Sequence, residues 1–146
     1  MDQADFQRWL DKTGRTILTN DFETYRLHIQ LPFTLITSDG NTVVEDEPTL
    51  KELFDSYRAM FSDFGVTNMV RLCATVQPME TGLVRATYVT HVLKDGDPVF
   101  DPFFSDMTLV QDGATWRAVS ITNNLTNKRW PVPLPRNGSA PAEPQT

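Results

Sequence analysis

Three Asp-Gly dipeptides constrain the fold of this chain more than any other feature of its sequence. They are Asp39-Gly40, Asp95-Gly96 and Asp112-Gly113, and apolar and polar residues alternate on both sides of them. Asp-Gly favours the two-residue turn of a β-hairpin because both residues tolerate a positive φ. Alternation is the pattern of a half-buried strand. The sequence therefore predicts a hairpin at each of the three places.

Most of the chain before Gly65 shows helical spacing instead. Apolar residues recur every three or four positions over residues 5–18, which predicts a first helix. Asn20, followed three residues later by a glutamate, is the pattern of a capped N-terminus and predicts a short second helix. Asp46 is placed to cap a third helix, which Gly65 ends.

After Gly65 the spacing of the apolar residues changes from helical to alternate. Strands are predicted over residues 66–77, 83–94, 99–111 and 114–124, in addition to the early hairpin over residues 33–45. This order predicts an α+β fold in which three N-terminal helices pack on a curved, mostly antiparallel sheet. We expect a single domain over residues 1–126 and a Pro-rich, partly disordered tail over residues 127–146.

The charge balance and the single cysteine exclude several classes of function. Thirteen Lys and Arg against 19 Asp and Glu give a formal net charge of −6, which disfavours nucleic acid as a partner because phosphate binding needs clustered cations. With Cys73 alone, no intramolecular disulfide and no multi-thiolate zinc site can form. No apolar leader and no membrane-spanning apolar run is present in the sequence. We expect a cytoplasmic protein with no metal, cofactor, membrane or nucleic-acid partner.

The turn at Asp95-Gly96 also predicts a strand register. Counting outward from it pairs Lys94 with Asp97 and places Arg85 opposite Asp106. Cross-strand pairs of opposite charge stabilise a sheet, so the Arg85–Asp106 pair supports this register.

Counting outward from Asp112-Gly113 pairs Gln111 with Ala114 and divides the side chains of the meander between two faces. One face carries Arg85, Thr87, Val89, His91, Phe104, Asp106, Val119, Ile121 and Asn123, and the other carries Ala86, Tyr88, Phe103, Ser105, Met107, Leu109, Trp116, Ala118 and Ser120. Both faces are too apolar for exposure to water. Helices can cover only one of them, and a second copy of the chain would cover the other.

The order of helix, helix, hairpin, helix and meander resembles that of the nuclear-transport-factor-2-like superfamily, whose fold is a cystatin-like cone. The passage DFETYRLHIQLPF before the first strand and Trp116-Arg117 after the last turn add to the likeness, which spans roughly residues 4–125. Ketosteroid isomerases and polyketide cyclases belong to this superfamily. The resemblance implies a conical pocket between the helices and the sheet, and homodimers that form through the outer sheet face.

By the same resemblance, the residues after Trp116 alternate so that Arg117, Val119, Ile121 and Asn123 point inward. The Arg85 face then lines the pocket, and the opposite face forms the dimer through Tyr88, Met107 and Trp116. The candidate catalytic residues are His91, Asp106 and Tyr25, and the candidate ligand-binding residues are Arg85, Thr87, Phe104, Asn123, His28, Tyr57 and Phe33.

Each candidate also has a structural interpretation. A histidine near neutral pH suits a general base, but His91 equally suits a hydrogen-bonded residue at a pocket rim. Asp106 with Arg85 suits either a tuned carboxylate or a structural ion pair. Steroid isomerases of this fold use a carboxylate on an early strand, and residues 32–37 contain none. Three hypotheses follow: an isomerase, cyclase or lyase acting on an apolar metabolite, a binding-only carrier, and a dimeric interaction module whose cone is filled by side chains.

Overall fold

Ten regular elements make up the part of the chain that the computed structural model describes, residues 1–123. In chain order they are α1 Gln3–Thr19, α2 Phe22–Leu27, β1 Ile29–Thr37, β2 Gly40–Val44, α3 Glu47–Asp63, β3 Asn68–Glu80, β4 Leu83–Lys94, β5 Asp97–Pro98, β6 Phe103–Asp112 and β7 Thr115–Asn123. The tail predicted over residues 127–146 lies outside the described residues. No helix within residues 1–123 is long and apolar enough to cross a membrane.

Short acidic side chains begin the helices. Asp2 caps α1 in a reciprocal capping box with Asp5, as the preference for such residues at N-caps leads one to expect. The second helix begins one residue later than predicted, because Asn20 takes the left-handed conformation that ends α1, at φ 58°. Asp21 is the cap of α2 and accepts a hydrogen bond from the Thr24 amide.

The third helix follows the prediction closely. Asp46 accepts from the Thr49 amide at 2.8 Å, and a proline occupies the first turn of α3, where its missing N–H costs nothing. Gly65 follows the C-cap with φ +66°, a conformation that glycine adopts without strain.

The strands form one sheet in the order β2-β1-β7-β6-β4-β3, with β5 added beside β4. Neighbouring strands run antiparallel except β1 and β7, which pair in parallel. Three helices on a curved, mostly antiparallel sheet confirm the predicted α+β class.

The ion pair between Arg85 and Asp106 forms, although the register of the two strands that carry it differs from the predicted one. Lys94 pairs with Asp97 as expected, but β5 is only two residues long and the chain is irregular before β6 begins. This interruption shifts the next pairing by two residues, so that Arg85 lies opposite Thr108 and reaches Asp106 diagonally. Arg85 Nε lies 3.0 and 2.9 Å from the two carboxylate oxygens. A shift of two residues leaves each side chain on its predicted face.

The hairpin of β6 and β7 also differs from the predicted one, and this difference changes which residues of β7 face the helices. Its loop is Gly113-Ala114, with Asp112 paired to Thr115. The register then shifts at Val119, because Leu109 pairs with Ala118 and Thr108 pairs with Ser120. This β-bulge adds one residue to β7 and reverses the alternation beyond it. Ile121 is thereby placed opposite Met107, and Asn123 opposite Ser105. Arg117, before the bulge, lies opposite Val110 on the outer face, so its predicted inward position is wrong.

The face of the sheet that packs on the helices is the opposite of the predicted one. Buried and more exposed residues alternate along β4, and Val84, Ala86, Tyr88, Thr90 and Val92 are the buried set. The predicted pocket residues of β4 and β6, namely Arg85, Thr87, His91, Phe104 and Asp106, lie on the outer face, and their assignment to the inside is wrong. The helices bury apolar stripes, so the more apolar face of the sheet is the one that covers them.

The predicted dimer residues are therefore inside the molecule. Tyr88 is 3% exposed and Met107 is 1% exposed, so neither can form an intermolecular contact. Trp116 is half-buried, and its carbonyl oxygen accepts a hydrogen bond from Trp9 Nε1 of α1 at 2.8 Å.

Candidate ligand-binding site

A cavity of about 100 Å³ lies between the three helices and the inner face of the sheet. One buried water needs roughly 10–15 Å³ of such space, so the cavity has room for several waters or for a small ring compound. Its apolar walls include Ile17 and Trp9 of α1, Phe33 of β1, Phe61 of α3 and Met107 of β6. Mostly apolar walls with a few polar groups are typical of small-molecule sites.

The sheet supplies a compact group of polar side chains to the cavity. Arg71 of β3 lies opposite Thr90 of β4, and Tyr88, the next inward residue on β4, lies opposite Ser105 of β6. Ser105 in turn lies opposite Asn123 of β7. All five residues line the cavity, because inward side chains of neighbouring strands stand side by side.

The helices add hydroxyl groups from the other side. Thr13 of α1, Tyr25 of α2 and Tyr57 of α3 also line the cavity. Burial raises the pKa of Tyr25, Tyr57 and Tyr88, and the nearby charge of Arg71 lowers the pKa of each by a smaller amount. The three tyrosines and Arg71 thus line the same cavity.

Because burial outweighs the charge of Arg71, the pKa of each of the three tyrosines lies above the ordinary value for tyrosine. Tyr57 keeps part of its surface accessible, but its side chain faces the cavity and not the outer surface. An un-ionised phenol donates a hydrogen bond and does not take up a proton. Tyr25, predicted as a catalytic residue, is thus a neutral hydrogen-bond donor at ordinary pH.

Arg71 is held against α1 and over an aromatic ring. Its Nη2 donates to the Leu10 carbonyl oxygen at 2.7 Å and to the Thr13 hydroxyl, and its guanidinium carbon lies 5.7 Å from the centre of the Tyr88 ring. Gly14 permits this approach, since a Cβ there would lie 3.3 Å from Arg71 Nη2.

No protein-family model matches the sequence, and no curated protein matches it either. Solved structures do match in fold. An NTF-2 like protein of unknown function from Shewanella oneidensis MR-1 superposes with a TM-score of 0.65 at 9% identity, covering 84% of this chain and 98% of the other. Aln2 from a Streptomyces species superposes with a TM-score of 0.64 at 15% identity, covering 83% of this chain and 88% of the other.

The beta subunit of the benzoate 1,2-dioxygenase from Burkholderia mallei gives a TM-score of 0.59 at 15% identity, with 88% of this chain and 93% of the other covered. Together with the helix order and the sheet, these likenesses decide the fold. The chain has an NTF2-like, cystatin-like cone fold. The predicted resemblance is confirmed at that level, and a shared cone does not specify a function.

The predicted site residues divide into three groups. Phe33, Tyr25, Tyr57 and Asn123 line the cavity. His28 is buried behind it, with its Nδ1 2.8 Å from the Thr24 carbonyl oxygen and its ring against Trp9. The others, His91, Asp106, Arg85, Thr87 and Phe104, lie across the sheet from the cavity, so the proposed catalytic set of His91, Asp106 and Tyr25 is not brought together.

Sequence reasoning missed Arg71, Thr13, Thr90 and Ser105 of the cone. The available signal was Arg71 itself, a lone cation between Met69 and Cys73, two residues that share its alternating face. Burying a charged side chain among apolar ones costs free energy, so a single arginine on an apolar face stands out from the pattern.

The polar groups that face the cavity suggest what it can do chemically. Among the lining residues within positions 1–123 there is one permanent cation, while the rest of the polar set consists of hydroxyls and one amide. No group of three metal-ligating side chains comes together in this part of the chain. The arrangement is suited to hold an acceptor-rich or negatively charged group inside an apolar wall.

Proposed function

We propose that the protein binds a small, mostly apolar molecule inside the cone. The single observation that carries the proposal is the cavity of about 100 Å³ in which residues of three helices and five strands bring together apolar walls and a cluster of hydrogen-bond donors. Such convergence of a few polar groups in an apolar pocket is the usual arrangement of a small-molecule site.

Binding has more support than acid–base catalysis. The two predicted proton-transfer residues, His91 and Asp106, lie on the outer face of the sheet, and general acid–base catalysis requires hydrogen-bond reach of the substrate. The groups that do face the cavity, Arg71 and the neutral tyrosines, stabilise negative charge. An isomerase, cyclase or lyase of this chain would use that property and not a histidine base.

Filling the cone tests the proposal. Ser105 is 1% exposed and lines the cavity, so Ser105→Leu will occupy ligand space. Thr108→Leu is the matched control, because Thr108 lies on the same strand and faces outward. We expect saturable binding of at least one of indole, phenol, cyclohexanol and cinnamamide to the wild type, weakened about tenfold or more by Ser105→Leu and unchanged by Thr108→Leu.

Ligand-observed NMR titrations and thermal-shift assays measure both effects. Absence of saturable binding by every compound in the panel and by the ring acids benzoate and trans-cinnamate, or equal binding by the Ser105→Leu variant, would contradict a ligand site in the cone.

We also propose that the outer sheet face pairs with a second copy of the chain. Leu72, Val89 and Phe104 lie side by side on three adjacent strands of this face, and Leu72 is 49% and Phe104 53% exposed. The adjacent Arg85–Asp106 pair carries both signs of charge, so the face does not repel itself when a two-fold axis brings it against its copy.

A charged residue within the row of Leu72, Val89 and Phe104 should dissociate the proposed dimer. We expect the wild type to elute with twice the chain mass of 16.6 kDa, and Phe104→Glu to elute as a monomer because it would bury an unpaired carboxylate in the interface. Leu27→Glu, which alters an exposed leucine of α2, should leave the dimer intact. Size-exclusion chromatography with light scattering gives the mass, and a monomeric wild type or a dimeric Phe104→Glu variant would refute this interface.

A further inference from the structure

The cone contains a cation without an acidic partner. Arg71 lines the cavity, yet within residues 1–123 no carboxylate lies within ion-pair distance of it, whereas Arg8, Arg26, Arg85 and Arg117 all have one. Its Nε is buried and has no hydrogen-bond acceptor among the described residues.

An uncompensated charge in an apolar cavity is costly, because water no longer solvates it fully. The chain offsets part of this cost with neutral groups: the Leu10 carbonyl, the Thr13 hydroxyl and the face of the Tyr88 ring. These contacts also hold the guanidinium in one orientation beside the cavity. What they do not supply is a negative charge.

We propose that the ligand of the cone is a ring compound with a single carboxylate, which provides the missing counter-charge to Arg71. This inference rests on the proposed function and specifies its ligand class. Guanidinium and carboxylate match in shape and can form two parallel hydrogen bonds. The hydroxyls of Tyr25, Tyr57 and Tyr88, which line the same cavity as Arg71, can donate further hydrogen bonds to the ligand.

The rest of the cavity selects the remainder of the ligand. Ile17, Phe33 and Phe61 form its apolar part, which suits one ring or two small ones. A phosphate monoester is a poorer match, because it carries nearly two charges at neutral pH and Arg71 is the only cation among the described residues of the cavity wall.

Paired acids and amides test the carboxylate directly on the unaltered protein. Benzoate and trans-cinnamate are compared with benzamide and cinnamamide by isothermal titration calorimetry. A hydrogen-bonded charge in a partly dry site is worth roughly 1.5–3 kcal/mol, so each acid should bind about tenfold to a hundredfold more tightly than its amide. This comparison needs no mutation and does not depend on how Arg71 supports the fold.

Three variants test whether the preference for acids over amides is due to Arg71. Arg71→Gln should remove the preference for acid over amide, and Arg71→Lys, which keeps the charge without the planar fork, should retain part of it. Arg85→Gln, on the same sheet but on its outer face, should retain all of it.

The two proposals fail in different ways. Amides that bind as tightly as their acids would overturn the carboxylate assignment while leaving a ligand site in the cone. A preference that survives in Arg71→Gln would overturn the role of Arg71. Failure of acids, amides and the neutral panel alike to bind would overturn the proposed function itself.

Discussion

Raising the pH from about 8 to about 11 will leave Tyr25 and Tyr57 protonated for as long as the protein stays folded. The chain contains only Tyr25, Tyr57 and Tyr88, and burial raises the pKa of each above the ordinary value of 10.0. Most of the tyrosinate absorbance near 295 nm will therefore appear together with the loss of circular dichroism, and not before it.

The sign of the effect on stability follows from linkage. A phenol with a raised folded-state pKa stabilises the fold fully below the unfolded pKa of about 10, and this stability is lost as the pH rises from there towards the folded pKa. One pH unit above the unfolded pKa, the loss is roughly 1.4 kcal/mol for each strongly shifted tyrosine, or about 3 kcal/mol for Tyr25 and Tyr57 together. That is a large share of the ~5–15 kcal/mol that stabilises a typical domain.

The protein in concentrated urea provides the control, since its three tyrosines should titrate together near the ordinary value. A tyrosinate signal that develops with a midpoint near pH 10 in the folded protein would show that the cone is open to hydroxide, and would contradict the burial of these side chains.

Phe54→Ala will remove a large part of the stability of the domain. Phe54 is 0% exposed, and its ring packs on Tyr25 at 5.0 Å and on Phe22 at 5.4 Å between centroids. Truncating a fully buried phenylalanine removes its apolar burial and leaves a cavity, which costs about 3–5 kcal/mol. Because Phe54 also supports Tyr25, the wall of the ligand site should loosen with it.

Urea denaturation measures the change in the free energy of unfolding. Phe64→Ala is the matched control: this ring, 41% exposed, contacts Phe100 at the end of α3, and we expect a loss of about 1 kcal/mol. Equal losses for the two variants would indicate that α3 does not pack on α2 as described.

Much of the architecture was accessible from local patterns. Helix caps such as Asp46 and turns such as Asp95-Gly96 act through neighbouring residues only, so their chemistry is readable in a short window. Asp95 and Gly96 indeed take φ values of 49° and 87°. The order of these elements then sufficed to identify the cone.

The assignment of faces failed for reasons that a local pattern does not contain. Alternation places Arg85 and Asp106 on the same face of the sheet. Which of the two faces packs on the helices, however, depends on packing across the whole sheet. The bulge at Val119 leaves no distinctive residue in the sequence, although it decides that Asn123 joins the cavity. The Arg71 site likewise depends on an approach to Gly14 between segments far apart in the chain, which no periodicity predicts.

The parallel pairing of β7 with β1 has a consequence for how the molecule assembles. β7 is the last described strand, yet it lies in the middle of the sheet and joins the β1–β2 hairpin to the meander. During synthesis, the hairpin and the meander therefore remain two separate pieces until residues 115–123 have left the ribosome. Such non-local pairing slows folding and exposes unpaired strand edges meanwhile. The early helices are thus made long before the wall that completes their binding cavity.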